Sequence, residues 1–331
     1  MSADEFDVIR ELFAPLATSM AARGLADDVA LLEASGPLVV TTDAIVEGVH
    51  FLADDPIDTV AKKALRVNVS DIVAKGAKPI GALLTLVWPD RRASAELPEF
   101  ARGLREDLAL FSIPLLGGDT TSTPGPLTVS ITVLGTPLGE RVPSRADAKV
   151  GEQVWVTGFI GPAFLGLRAL QESPDVIGAS ARDRVGSDEV IDWYRVPRPP
   201  FEFATAIARY ASASTDVSDG LVADAANIAR ASSVGIRLHG EAIPLSSSGH
   251  AHVSKFGPRG LAELVTGGDD YQALFTAPPA QRGSIMAAAR AADVNVALIG
   301  DVVEGEGVEI SLADGALLDL GAFGHRHKLG R

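Results

Sequence analysis

The chain has 331 residues, 47% of them hydrophobic and 22% charged, with a formal net charge of −14 and no cysteine. That length exceeds one ordinary core and predicts two domains. The acidic balance excludes a nucleic-acid or membrane-surface binder, which needs basic patches, and the lack of cysteine excludes disulfides and thiolate metal sites and fits a reducing compartment.

In chain order, residues 4–22 predict an amphipathic helix, with Phe6, Ile9, Leu12 and Phe13 at helical spacing. This start has neither the basic end nor the apolar centre of a signal peptide. No run of about 18 apolar residues follows, so the expectation is a soluble, cytoplasmic protein with no membrane partner. "PLVVTTD" predicts a short buried strand, and "TVAKKALRVNVSDIVAKGA" a helix stopped by Gly76 and Pro79. "IGALLTLVWP" and "LTVSITVLGTP" predict strands, with "ELPEFARGLREDLALF" a helix between them. "GERVPSRADAKVGEQVWVTG" reads as a connection into a second domain, giving 1–148 and 149–331. In the second half, helices are expected around 162–171, around 201–211 and after Asp219. A polar stretch at 174–188 is expected to be a mobile loop. "GIRLHG", "YQALFTAP" and "VALIGDVVE" predict strands, and "GSIMAAARAAD" a helix. The alternation places the chain in the mixed α/β (α+β) class.

Six short acidic motifs punctuate these elements: "GLADDVALL", "VTTDAIVEGVHF", "NVSDIVAKGAKP", "LLGGDTT", "STDVSDGLVADAANIAR" and "VTGGDDYQALF". No Gly-Lys dipeptide occurs, so there is no Walker A loop, nor a G-x-S-x-G elbow or an H-E-x-x-H pair among the six histidines. What remains is hard oxygen, which suits Mg²⁺ and a phosphorylated substrate. Each motif has an ordinary structural explanation: turn residues at Asp27 and Asp28, a strand exit at Thr41–Asp43, an N-cap before the helix at Asp219. Asp71 shares a helical face with Ala64, Asn68 and Lys75, where an Asp is either paired, with Lys75 as local candidate, or binds something. The two glycines before Asp119 let another group approach the backbone closely. Singly the structural explanations prevail; six together favour a binding site.

The motifs, in their order from about Glu5 to Phe323, resemble those of the thiamine-monophosphate kinases, within the larger group that includes aminoimidazole ribonucleotide synthetase, selenophosphate synthetase and a hydrogenase-maturation protein. "TTDAIVEGVHF" is the most specific of them; "VNVSDIVAKGAKP", "LLGGDTT" and "DVSDGL" are shared more broadly. The resemblance implies Mg²⁺ ligands at Asp28, Thr41, Thr42, Asp43, Asp71, Asp119, Asp216 and Asp219, with several ions bound. It implies ATP contacts at Gly118 with Asp119, Arg145 and Ser218, and thiamine monophosphate contacts at His50, Asp269 and Phe323. No residue is implied as a general acid or base. Two positions depart from the family pattern: Ala26 stands where a glycine precedes the Asp pair, and Asp269 where a glutamate is usual. The resemblance further implies two domains of the aminoimidazole ribonucleotide synthetase type, with ATP and metals in the cleft between them. The N-terminal domain would bind ATP and Mg²⁺ and pair its sheet into the β-barrel of a homodimer, a pairing that the runs at 81–89 and 127–137 would suit. The implied reaction is ATP-dependent phosphorylation of thiamine monophosphate to thiamine diphosphate. A sister enzyme acting on another acceptor and a non-catalytic nucleotide or metal sensor are the alternatives.

Overall fold

The computed structural model describes residues 5–26, 29–171 and 181–320. The chain divides into two compact units, Met1–Ile72 with Ala77–Pro137, and Val73–Gly76 with Leu138–Arg331.

The first unit opens irregularly. A short helix α1 (Glu5–Val8) passes into a π turn over Ile9–Phe13 and 3₁₀ turns over Ala14–Leu16 and Met20–Leu25. The single helix expected over 4–22 is broken because Pro15 has no backbone N–H to continue it. Four strands follow: β1 (Val39–Val46), β2 (Ala77–Pro89), β3 (Leu115–Thr123) and β4 (Thr128–Pro137). They form one open sheet in the order β1-β4-β2-β3, in which only β2 and β3 run parallel. That parallel step needs a crossover, supplied by α3 (Leu97–Leu110); α2 (Ile57–Ala74) precedes β2. The strands alternate with period two: Ala82, Leu84, Leu86, Val129, Ile131 and Val133 are buried, while Leu83 and Thr85 face outward. The buried face lies against α2, so closely that a Cβ on Gly135 would sit 3.0 Å from Ile72. The two helices meet where Gly103 abuts the Asp58 carbonyl, and a forked pair joins them, Arg66 Nε and Nη2 donating to Asp107 at 2.5 and 2.8 Å. The runs at 81–89 and 127–137 are the central strands of this sheet and pair with each other, Leu84 opposite Ile131. The free edges are β1 and β3.

The second unit is built on a six-stranded mixed sheet, ordered β10-β7-β9-β5-β8-β6. Its strands are β5 (Gln153–Thr157), β6 (Ser214–Asp216), β7 (Gly235–His239), β8 (Ala273–Ala277), β9 (Val296–Val303) and β10 (Gly307–Ser311). Helices α4 (Pro162–Gln171), α7 (Leu221–Ser232) and α10 (Arg282–Ala292) stand where the sequence predicts them. The helix expected around 201–211 is a 3₁₀ turn, Phe201–Phe203, running into α6 (Ala204–Tyr210). Of the loop expected at 174–188, residues 174–180 lie outside the described residues, and 181–188 are not loop but the start of α5 (Ala181–Arg195). Two further helices, α8 (Ser247–Phe256) and α9 (Pro258–Thr266), lead to the loop before β8. The core gathers Val154, Val156, Val222, Ile228, Leu264, Leu274 and Ile299, all fully buried. Among the described residues, no helix is long and apolar enough to cross a membrane.

Candidate functional site

In the first unit, β1 carries Thr41, Thr42 and Asp43 along an edge, and register decides where each points. Thr41 and Asp43 oppose the buried Val133 and Ile131, so they lie on the helix-covered face. There Thr41 Oγ1 donates to Asp71 Oδ2 of α2 at 2.5 Å, and the Asp43 N–H donates to Asn68 Oδ1 at 3.0 Å. Asn68 is fully buried and donates its own amide to the Ala64 carbonyl, which fixes the direction of its acceptor. Thr42 is on the other face, its Oγ1 accepting from Thr132 at 2.9 Å. Asp71 is thus partnered by a hydroxyl from β1, while the Lys75 ammonium donates to the Ser214 carbonyl.

Asp119 sits on the opposite edge. One row of the sheet runs Asp43, Ile131, Leu84, Gly118, and the next runs Ala44, Ser130, Thr85, Asp119. Asp119 is therefore three strand spacings, about 14 Å, from β1 and on the face opposite Asp43. Gly118 is required by close approach, as its neighbour glycines suggested, but the approaching group is the chain itself: a Cβ would lie 1.7 Å from the Leu84 carbonyl oxygen. A cavity of about 470 Å³ opens here, lined by Leu25, Ala26, Val29, Leu84, Gly118 and Asp119 among others. The segments flanking Asp28 thus border Asp119, although Asp28 itself lies outside the described residues, as does Phe323.

His50 closes a tight turn after β1, its N–H donating to the Val46 carbonyl at 2.9 Å. Its ring Nδ1 accepts from the Val46 N–H at 3.0 Å, so the neutral ring carries its proton on Nε2, as a donor. Lys63, 1% exposed, donates to the His50 carbonyl at 2.9 Å, and Glu47 beside it is gripped by Arg91 and Arg92.

In the second unit two loops lock together. Asp216 ends β6 opposite Ala273 of β8. Beyond it, Val217 N–H donates to the Gln272 carbonyl, Asp269 N–H to Ser218, and Tyr271 N–H to Val217, at 2.7, 2.8 and 2.8 Å. Gly268, at φ +81°, admits this contact, since a Cβ would meet the Ser218 carbonyl at 2.6 Å. Asp269 and Tyr271 are held at φ +65° and +51°, conformations that side chains adopt only under tertiary constraint. The Tyr271 hydroxyl donates to Asp269 Oδ1 at 3.0 Å. Arg145 Nε donates to Thr215 Oγ1 at 3.0 Å, beside the same loop.

Sequence reasoning missed two buried acids. Asp224, in the first turn of α7, accepts from the Ser218 and Asp219 N–H groups at 3.0 Å each. Its carboxyl is pushed up to about 7, first by burial and then by the charge of Asp219. Asp270 accepts from the Gly161 N–H at 2.8 Å at the start of α4, while its Oδ1 is buried with no hydrogen-bond partner among the described residues. Burial raises Asp270 well above the usual carboxylate range. The available signal was proximity: both lie within five residues of an expected ligand. Among the described residues, no group of three or more His, Asp or Glu could hold a metal ion by itself. The donors are hard oxygens, several of them exposed, a set that fits ions carried in on substrate phosphates, since Mg²⁺ keeps water and phosphate in its shell and needs only one or two carboxylates.

Comparison with known proteins gives matches over both halves. Residues 26–136 match the N-terminal domain, and residues 149–313 the C-terminal domain, of AIR synthase related protein. A thiamine-monophosphate kinase of Caulobacter vibrioides is 44% identical over 312 residues, covering 92% of this chain and 85% of its own length. Its counterpart in Escherichia coli K12 is 36% identical, covering 86% of each. Among solved structures, thiamine-monophosphate kinase from Stenotrophomonas maltophilia superposes with a TM-score of 0.77 at 31% identity, over 88% of this chain and 90% of that one. AaThiL complexed with AMPPCP and TMP superposes at 0.74 and 30% identity, over 97% and 96%.

Proposed function

The chain belongs to the thiamine-monophosphate kinase family, within the AIR synthase related proteins, and on that premise we propose how its residues divide the work of phosphorylating thiamine monophosphate with ATP. The observation that carries the reading is the locked pair of loops in the second unit. It joins the nucleotide-side residues Asp216, Ser218 and Asp219 to the substrate-side carboxylate Asp269 through three backbone hydrogen bonds.

The reaction forms a bond between an oxygen of the acceptor phosphate and the γ-phosphorus of ATP, breaks the bond from that phosphorus to the β–γ bridging oxygen, and releases ADP. The acceptor is a phosphate monoester with a second pKa near 6, so it is largely ionised at neutral pH and needs no general base. The obstacle is the mutual repulsion of two polyanions. Bound Mg²⁺ would supply charge neutralisation; Asp28, Thr41, Thr42, Asp43, Asp71, Asp119, Asp216 and Asp219 are the residues to hold it. Arg145 adds a guanidinium to the phosphates, and Gly118 with Asp119 contacts the nucleotide. His50 Nε2–H donates to the acceptor substrate, which Asp269 and Phe323 also contact. Transfer is direct, with no phosphoenzyme.

The N-terminal segment, residues 1–148, is the nucleotide-binding and dimerising domain, and 149–331 completes the site. The uncovered sheet face supports a homodimer: Val40 is 57% and Leu83 36% exposed, and among the described residues no further strand lies beside the edge strands β1 and β3. Pairing of two such sheets would form the family's shared barrel. The deciding experiment is a coupled ADP assay offering thiamine monophosphate, unphosphorylated thiamine and an aminoimidazole ribonucleotide-type acceptor side by side. Turnover is expected with the first alone; equal turnover with another acceptor would sink the assignment.

A further inference from the structure

We propose that Asp224 is a positioning residue for this reaction: its carboxylate holds the loop from which Ser218 and Asp219 project. The inference rests on the reading of that loop as the nucleotide side of the site, and it begins with the local chain. Gly220, at φ +110°, turns the backbone from β6 into α7, leaving the N–H groups of Ser218 and Asp219 outside any helix or strand. Such groups need a partner when water is excluded. Asp224 reaches back from the helix and accepts both on one oxygen, Oδ2, at 3.0 Å each, while Oδ1 accepts from Asn227 Nδ2 at 3.4 Å.

From the other side, the Ser218 carbonyl accepts from Asp269, the Val217 carbonyl from Tyr271, and the Val217 N–H donates to Gln272. The five main-chain groups from Val217 N–H to Asp219 N–H are therefore all bonded, three to the substrate-side loop and two to Asp224. With its backbone fixed on both flanks, the loop has no freedom to turn Asp219 away. An in-line transfer is sensitive to misplacement of about 1 Å, so such fixing bears directly on rate. Asp224 itself is 1% exposed and both its oxygens are engaged, which separates it from the ligands it serves.

The test compares wild type, Asp224→Ala and Asp224→Asn as full-length protein. The first readout is the rise in melting temperature against Mg²⁺ concentration with a non-hydrolysable ATP analogue; the second is kcat and KM for thiamine monophosphate. Asp224→Ala should raise the Mg²⁺ concentration for half-maximal shift tenfold or more and lower kcat by a similar factor, with KM changed less than threefold. Asp224→Asn should bring both back to within about twofold of wild type, because its amide oxygen accepts the same two N–H groups. An Asn variant as impaired as the Ala variant would mean that the charge matters rather than the positioning, and would overturn the proposal. So would an unchanged Mg²⁺ half-point in Asp224→Ala. Should the Ala variant fail to fold, the Asn variant decides: loss of tenfold or more in Mg²⁺ half-point overturns the proposal, and retention upholds it. A wild type that shows the Mg²⁺–nucleotide shift but does not phosphorylate thiamine monophosphate would refute the functional reading alone.

Discussion

Asp43 and Asp119 stand one row apart on the same four-stranded sheet, yet on its two opposite edge strands and opposite faces. About 14 Å of sheet separates their backbones, so within one chain they cannot share an ion. Sites this far apart contribute additively. The expected outcome is that Asp43→Asn and Asp119→Asn each raise the Mg²⁺ requirement, and that the double variant shows the product of the two factors. Titration of Mg²⁺ at saturating ATP measures this. A double variant no worse than the weaker single one would mean a shared ion, which this sheet permits only between two chains.

The Thr41–Asp71 pair predicts a separation of stability from activity. Asp71→Asn keeps an oxygen for the Thr41 hydroxyl, so melting in chelator should shift by less than about 1 kcal/mol while most activity is lost. Thr41→Val removes the donor and should cost roughly 1–2 kcal/mol. Strong destabilisation by Asp71→Asn would make Asp71 a structural partner and remove it from the metal set.

His50→Ala should raise KM for thiamine monophosphate tenfold or more and leave KM for ATP within about twofold. His50→Gln retains a donor and should recover part of the loss. Steady-state kinetics with each substrate varied in turn is the check, and an unchanged acceptor KM would take His50 out of the site.

The two buried acids make metal-free stability depend on pH. The Asp224 carboxyl lies at about 7 when folded, against 3.8 for the ordinary side chain, and Asp270 is raised in the same direction. With folded values above unfolded ones, the folded protein binds more protons, so their stabilising contribution is full below the ordinary value and is lost as pH rises through about 7. The melting temperature in chelator should therefore climb by roughly 3 °C or more between pH 8 and pH 6, and Asp224→Asn should flatten part of that slope. A wild-type protein that melts lower at pH 6 than at pH 8 would show that other groups dominate.

Chain-local physics determined much of this protein. Two-residue alternation in "LTVSITVLGTP", glycine and proline stops, and helical spacing in "TVAKKALRVNVSDIVAKGA" each depend on neighbours a few residues away, and those elements stand where they were read. The specific ending "VEGVHF" and the order of the acidic motifs carried the family. Tertiary structure decided the rest. Strand order put 81–89 and 127–137 at the centre of the sheet and left β1 and β3 at its edges, which no pattern within a strand encodes. The same order sent Asp43 and Asp119 to opposite faces, because facing depends on register with partners up to 90 residues distant rather than on the motif itself. Asp224 and Asp270 looked like ordinary helix and loop acids until folding buried them against N–H groups of the 217–220 loop and of Gly161, where burial and hydrogen bonding, neither written in the local sequence, set what a carboxylate does.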